Sequence, residues 1–340
     1  MDLRKHWKDI LYIFLGLFLI AVLMLNADVT DTLDVLSDTE LQLIALILGL
    51  YFLNVTCKVM RWYGLLKGMG AKRIGFITLP IFLASLALNN STPGKVGGEP
   101  VRALMLKEHT GNRLSKGIAT IFAEKSLDIL TILLFAVLGL AYLMSELGFK
   151  DVMGMAIVIA IGGSLIVTVI LLLVNRRFLR AMNGLLERVA LIITRGNRES
   201  RSYRLFGKLE GSVERYHSSI RTIRRNPWTG AGVIMLTLAI WVNEGLRFYL
   251  VVQALPGDVY ISFPEAIAAI AVANILGFIL PIGAGNVFGS KSILELLSVK
   301  EATAMAASLL QVATSLWISI PLGIISVSYL RFRSKKKSNQ

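Results

Sequence analysis

The 340-residue chain has one cysteine, Cys57, so no disulfide can close within it, and cysteine usage says nothing about its compartment. Histidine is nearly as scarce. His6, His109 and His217 lie far apart, and no metal-ligand spacing appears. The phosphate-cradling GxxxxGK[ST] run of nucleotide-driven machines is missing, which argues against direct use of ATP. No nucleophile–base pair stands out. The sequence therefore gives no reason to expect an enzyme, a metal or a cofactor. Acidic residues are also few: 22 Asp and Glu stand against 36 Lys and Arg, a formal net charge of +14. Nucleic-acid binding would be one outlet for such a charge, but its distribution follows a membrane instead.

Long stretches lack charge altogether. Hydrophobic residues make up 55% of the chain, against about 45–50% in soluble domains. Several runs reach the roughly 20 apolar residues that a bilayer-spanning helix needs. Spans are predicted at Ile10–Asn26, Leu41–Met60, Gly117–Leu147, Val152–Val174, Trp228–Leu255 and Ala302–Leu330. The first could be a signal peptide, but it is long and no small-x-small site follows, so a retained span is expected. Ala27–Glu40 carries Asp28, Asp31, Asp34, Asp38 and Glu40 with no Lys or Arg, whereas RWYGLLKGMGAKR is basic. Positive charge accumulates on the cytoplasmic side, so the acidic loop is expected outside and both termini inside. Asn175–Pro227 holds 13 Lys/Arg against four Glu, net +9. Its apolar residues recur at helical spacing (Phe178, Met182, Leu185, Val189), which reads as amphipathic helices on anionic headgroups rather than a nucleic-acid surface.

Two apolar runs are too short to cross. Gly75–Leu88 has basic flanks on both sides, and Phe263–Leu280 breaks at PIGAGNVFGS. Each reads as a re-entrant hairpin, about 75–106 entering from the cytoplasm and about 263–300 from outside. The two regions resemble each other. Arg61-Trp62-Tyr63 and Arg247-Phe248-Tyr249 each lead through a Phe-led apolar run to a Pro/Gly break and a long span. Opposite charge bias makes this an inverted-topology repeat, which puts its substrate near the midplane where interrupted helices meet. The predicted organisation is an all-α integral membrane fold with six transmembrane helices and two opposed re-entrant hairpins. It divides into a membrane half at 1–174, basic cytoplasmic helices at 175–227 and a second membrane half at 228–340.

Chemistry-bearing residues concentrate at the breaks and inside spans. In Asn89–Glu99, Pro93 removes a backbone donor, and Gly94, Gly97 and Gly98 let a ligand approach the backbone. Freed amides with Thr92, Lys95 and Arg102 nearby would suit a phosphate; the plain alternative is a cytoplasmic turn. Pro281, Gly283 and Gly285 form the corresponding break in the second hairpin. Glu124, Lys125 and Asp128 lie inside a span, where a charge costs roughly 2.5–3.5 kcal/mol on insertion scales. Glu124 and Asp128 share a helix face, and Lys125 is expected to neutralise one of them. Glu244 and Arg247, three apart, are spaced to pair. Lys58 and Arg61 near a span end read equally as site residues or snorkelling charges. Lys95, Arg102 and Arg247 are the expected phosphate ligands. Glu99, Glu124, Asp128 and Glu244 would meet a cationic group or balance those bases.

Three blocks carry a resemblance. Arg61-Trp62 precedes a Leu-Leu-x-Gly-like turn, Thr92–Arg102 is close to T-P-G-x-x-G-G-E-x-x-R, and Glu124-Lys125-x-x-Asp128 matches E-K-x-x-D. On these the chain resembles the lysylphosphatidylglycerol synthase transmembrane-region family, also called flippase-like, over nearly its whole length. The second hairpin departs from that family's P-G-G-x-G-x-x-E, with Ile282 at the first Gly and Phe288 at the Glu. The resemblance implies a translocator of a charged-headgroup lipid in the cell membrane: an anionic or aminoacylated phospholipid, or a polyprenyl-phosphate lipid. Some members join this unit to a soluble aminoacyltransferase domain; with Gln340 just after the last span, translocation without synthesis is expected. A secondary transporter of a small polar solute and a membrane-embedded lipid-modifying enzyme are the alternatives. An oligomer is compatible with all three.

In a Cys57→Ser background, single cysteines at Asp34 and Asp258 should react with an impermeant maleimide from outside intact cells. Those at Lys208 and Lys336 should react only after permeabilisation. Outside labelling at Lys208 contradicts six spans.

Overall fold

A computed structural model describes residues 18, 20–25, 28–92, 97–148, 153, 154, 157, 160, 164, 227–257, 259–277, 280 and 283–338. Every regular element among them is helical. The expected spans at 10–26 and 152–174 and the basic segment up to residue 226 lie wholly or largely outside the described residues. So do Pro93, Gly94, Lys95 and Pro281.

The acidic segment expected as a loop contains a helix, α1 (Val29–Ser37). Asp28 starts it: its carboxylate accepts from the Thr30 backbone N–H at 3.0 Å, satisfying one of the free donors of the first turn. Four helices follow: α2 (Leu41–Gly68), α3 (Thr78–Asn90), α4 (Gly98–Thr110) and α5 (Leu114–Leu147). Beyond the basic segment come α6 (Pro227–Gln253), α7 (Phe263–Gly277), α8 (Ala284–Leu296) and α9 (Glu301–Val312). A π turn at Ala313–Trp317 then leads into α10 (Ile318–Ser338). Pro321 lacks the N–H that the Trp317 carbonyl would otherwise receive, and the helix widens just before it.

Among the described residues, α2, α5, α6 and the stretch Glu301–Ser334 are long and apolar enough to cross a membrane. Their outer faces require hydrocarbon. Leu134, Val137 and Leu138 on α5 and Ile234 and Met235 on α6 are exposed, apolar surface that water would disfavour. The short α3 and α7 have no charge in their interiors and few exposed positions.

The order long, short, short, long occurs twice, and the packing repeats with it. Within each half the short helices pair, α3 on α4 and α7 on α8, and the second of each pair packs on the next long helix. Between halves, α3 packs on α10 and α7 on α5. Both seams rest on a glycine facing an alanine: a Cβ on Gly323 would collide with Ala87, and one on Gly139 with Ala268. Small residues let membrane helices approach closely enough for dispersion contacts to hold them.

Helices α2 and α6 cross antiparallel. Arg61 donates to the Thr237 hydroxyl at 3.2 Å, Arg247 lies 5.2 Å from the Tyr51 ring centre, and Lys58 meets Glu244 between them. Lys58 and Glu244 are 186 positions apart, the same separation as Arg61 and Arg247. Equivalent residues of the two halves therefore face each other about a pseudo-two-fold axis.

Gly98 and Gly285 have a packing role. A side chain at Gly98 would strike the Ser85 carbonyl, and one at Gly285 the Leu276 carbonyl. The space beside each belongs to the partner helix rather than to a ligand. Gly98→Ala and Gly285→Ala should each destabilise the fold, by about 1–3 kcal/mol as overpacking does. A thermal melt in detergent would read this as a lower Tm; unchanged melting for both contradicts the packing.

Candidate functional site

Where the halves meet, side chains from both line a cavity of ≈ 170 Å³, room for on the order of ten waters. Its floor in the first half is an ion network. Arg61 on α2 grips Asp128 with both terminal nitrogens (2.6 and 3.0 Å) and Glu124 with one (2.9 Å). The other oxygen of Glu124 lies 2.8 Å from Arg102 on α4, which also meets Glu99 at 2.8 Å. Glu99 accepts from Asn89 at 2.8 Å and pairs with Lys125 at 3.0 Å. Trp241 on α6 donates its indole N–H to Asp128 at 3.2 Å. The Arg102 guanidinium lies 5.1 Å from the ring centres of both Trp62 and Phe82, which adds a cation–π contribution.

Lys125 forms its ion pair with Glu99 on α4 rather than with Glu124 or Asp128 of its own helix. Glu124 and Lys125, being adjacent, point away from each other, and Asp128, three positions on, is taken up by Arg61. Three cations and three carboxylates make this half formally neutral.

The second half is built differently. Glu244 lies between Lys58 at 3.0 Å and Arg247 at 3.1 Å. The expected i,i+3 pair forms, with Lys58 joining it from the opposite half. Arg247 is fully buried and also donates to the Thr314 carbonyl in the π turn at 3.0 Å. Thr314 stands 186 positions after Asp128, so the carboxylate of the first half has a neutral counterpart here. Two cations against one carboxylate leave this cluster with a formal charge of +1.

Of the residues singled out in the sequence, Arg61, Glu99, Arg102, Glu124, Lys125, Asp128 and Glu244 come together on the cavity wall, with Arg247 directly behind Glu244. Thr92, just after α3, and Gly97 and Gly98, at the start of α4, have their groups already used. The Gly97 N–H donates to the Thr92 hydroxyl (3.0 Å) and the Gly98 N–H to the Asn89 side chain (2.7 Å). Gly283 opens α8 in a left-handed conformation, φ 84°, which favours glycine. The expected phosphate ligands Arg102 and Arg247 have side chains only 3% and 0% exposed. Among the described cations of the cavity wall, Lys58 (25%) and Lys125 (31%) have the more exposed side chains. Sequence reading also passed over Tyr51, Asn274, Gln311 and Ser315 on the cavity wall. Only their placement in apolar helices hinted at them. Lys291 lies elsewhere, tying Glu295 to Glu301 at the α8–α9 corner.

Removing one partner from a buried network leaves a desolvated charge behind. Glu124→Ala, which strips a carboxylate from two guanidiniums, should cost about 3–5 kcal/mol. Lys125→Ala, at a partly exposed pair, should cost less than about 1 kcal/mol. Denaturant or thermal titration of the two variants checks the ranking; equal destabilisation contradicts the network as drawn.

The sequence profile described as the lysylphosphatidylglycerol synthase transmembrane region matches residues 10–323. A UPF0104 membrane protein of Pyrococcus horikoshii is 26% identical over 335 residues, covering 94% of this chain and 96% of its own. Another from Methanothermobacter thermautotrophicus is 24% identical over 334 residues, 96% of each chain. The glycosyltransferase AglD of Haloferax volcanii is 24% identical over 337 residues, which is 93% of this chain and 53% of AglD. The profile covers nearly the whole chain, including both halves of the repeat and the ion network between them; the chain is a membrane protein that belongs to the lysylphosphatidylglycerol synthase transmembrane-region family.

Proposed function

We propose that the protein moves a charged-headgroup lipid between the leaflets of the cell membrane. One observation carries this reading: a polar, ion-lined cavity lies at the meeting of two equivalent halves, inside a protein whose outer faces are apolar. A headgroup crossing hydrocarbon has no polar partners there and loses several kcal/mol without them. The cavity supplies such partners. Its wall also carries Phe82, Leu86, Ile132 and Ile270, so polar and apolar parts of one molecule find matching surfaces.

In this reading the fold has six spans. The α3–α4 and α7–α8 pairs are re-entrant hairpins from opposite sides, and both termini and the basic segment face the cytoplasm. Support comes from the antiparallel crossing of α2 and α6 and from the matched packing of the two halves, both features of inverted repeats. Translocation is favoured over catalysis because each cavity carboxylate is held by a guanidinium or ammonium group. A carboxylate so held is a poor general acid. The glycosyltransferase name of AglD belongs to a protein nearly half of which lies outside the match.

Reconstituted in liposomes, the protein should speed transfer of labelled anionic, aminoacylated or polyprenyl-phosphate lipids between leaflets. Ser315→Trp, which fills the cavity, should fold normally and lose at least about tenfold in rate, a barrier change of roughly 1.4 kcal/mol. If wild-type liposomes match protein-free ones for every lipid while taking up a small polar solute, the solute-transporter reading replaces this one.

A further inference from the structure

The two halves of the cavity differ in charge and in whether neutral side chains are among the groups left without a hydrogen bond. In the first half every carboxylate and guanidinium is ion-paired, with Arg61 Nε, Arg102 Nε and one Glu124 oxygen left without a hydrogen bond among the described residues, and Asn89 is bonded at both ends of its amide. The second half holds the +1 cluster of Lys58, Glu244 and Arg247. Beside it lie polar groups of neutral side chains. Tyr51 is buried against Arg247, lines the cavity, and its hydroxyl has no hydrogen-bond partner among the described residues. Gln311, one turn before the Thr314 carbonyl that Arg247 binds, is 7% exposed, and its side-chain oxygen has no partner among the described residues either. Ser315 and Asn274 complete this wall.

A buried hydroxyl and a buried amide left unsatisfied are costly unless a ligand completes them. A surplus positive charge in a low-dielectric site favours a ligand carrying one negative charge. Resting on the translocator reading, we propose that this half is the headgroup subsite and takes a phosphodiester linked to an uncharged polyol. The phosphodiester meets the Lys58 ammonium, and the hydroxyls of the polyol meet Tyr51 and Gln311. A headgroup with an added amine brings a second positive charge to a cluster already at +1, and the site selects against it. The first half, formally neutral and ion-paired, holds the helices in place. The same headgroup chemistry occurs on glycerophospholipids and on prenyl-phosphate sugars, and both serve as probes.

The test measures binding of short-chain lipids to the purified full chain in detergent. The probes are phosphatidylinositol, a prenyl-phosphate hexose, phosphatidylethanol (a phosphodiester without headgroup hydroxyls) and lysylphosphatidylglycerol. One or both polyol probes should bind about tenfold tighter than phosphatidylethanol, the worth of one or two hydrogen bonds. Whichever of the two binds tighter identifies the source. Lysylphosphatidylglycerol should bind more weakly than phosphatidylethanol. Gln311→Leu and, separately, Tyr51→Phe should bring the polyol preference down towards one. Lys58→Gln should weaken all the phosphodiester anions by a similar factor. Equal binding of polyol and ethyl headgroups, a preference that survives both Gln311→Leu and Tyr51→Phe, or tighter binding of the aminoacylated lipid overturns the subsite while leaving translocation standing. Absence of binding by every probe, together with absence of leaflet transfer, overturns the translocator reading beneath it.

Discussion

Glu124 lies between two guanidinium groups, with Arg61 on one oxygen and Arg102 on the other. All three side chains are nearly inaccessible. In hydrocarbon surroundings none of these charges can be left alone, because the cost of an isolated buried ion far exceeds what a helix interface can return. The requirement fixes geometry. Arg61 must come from α2, Arg102 from α4 and Glu124 from α5, so three helices are held in one register by one carboxylate. Asp128, a turn further along α5, extends the grip to α6 through Trp241. Glu99 extends it to α3 through Asn89. Helix packing by small residues at Gly139 and Gly323 then closes the two halves onto each other.

The second half repeats the arrangement of helices without repeating the charges. Arg247 sits where the two-fold puts the counterpart of Arg61, but its partner on the last long helix is a backbone carbonyl instead of a carboxylate. The π turn before Pro321 disturbs the regular ladder in that stretch, where a carbonyl can face Arg247. Lys58 and Glu244, equivalent positions of opposite sign, meet near the axis at 3.0 Å. One half is thus electrically closed and the other keeps a positive excess beside neutral hydrogen-bonding groups.

Much of the frame was legible in the sequence because it depends on local features. Length and apolarity marked α2, α5, α6 and the last helix. Short runs ending in Pro/Gly breaks marked α3 and α7. Shared faces at i,i+3 and i,i+4 put Glu244 with Arg247 and Glu124 with Asp128. What local spacing missed was pairing between distant helices. Lys58 finds Glu244, and Lys125 finds Glu99, through contacts that no periodicity encodes. The glycines of the first break looked like room for a ligand, yet Gly98 lies against the Ser85 carbonyl of the helix it follows. Tyr51, Gln311 and Asn274 were silent because one neutral polar residue barely changes the apolarity of a long helix. The acidic stretch after residue 27 was read as loop on its charge, whereas Asp28 supplies the cap that lets α1 form.

Whether lipid enters the cavity can be seen directly. An electron cryo-microscopy map of the full chain in nanodiscs containing phosphatidylinositol should show lipid density with its headgroup between Lys58 and Gln311 and its tails leaving between helices into the bilayer. A cavity walled off from the bilayer on every side and filled only by ordered water would contradict the account.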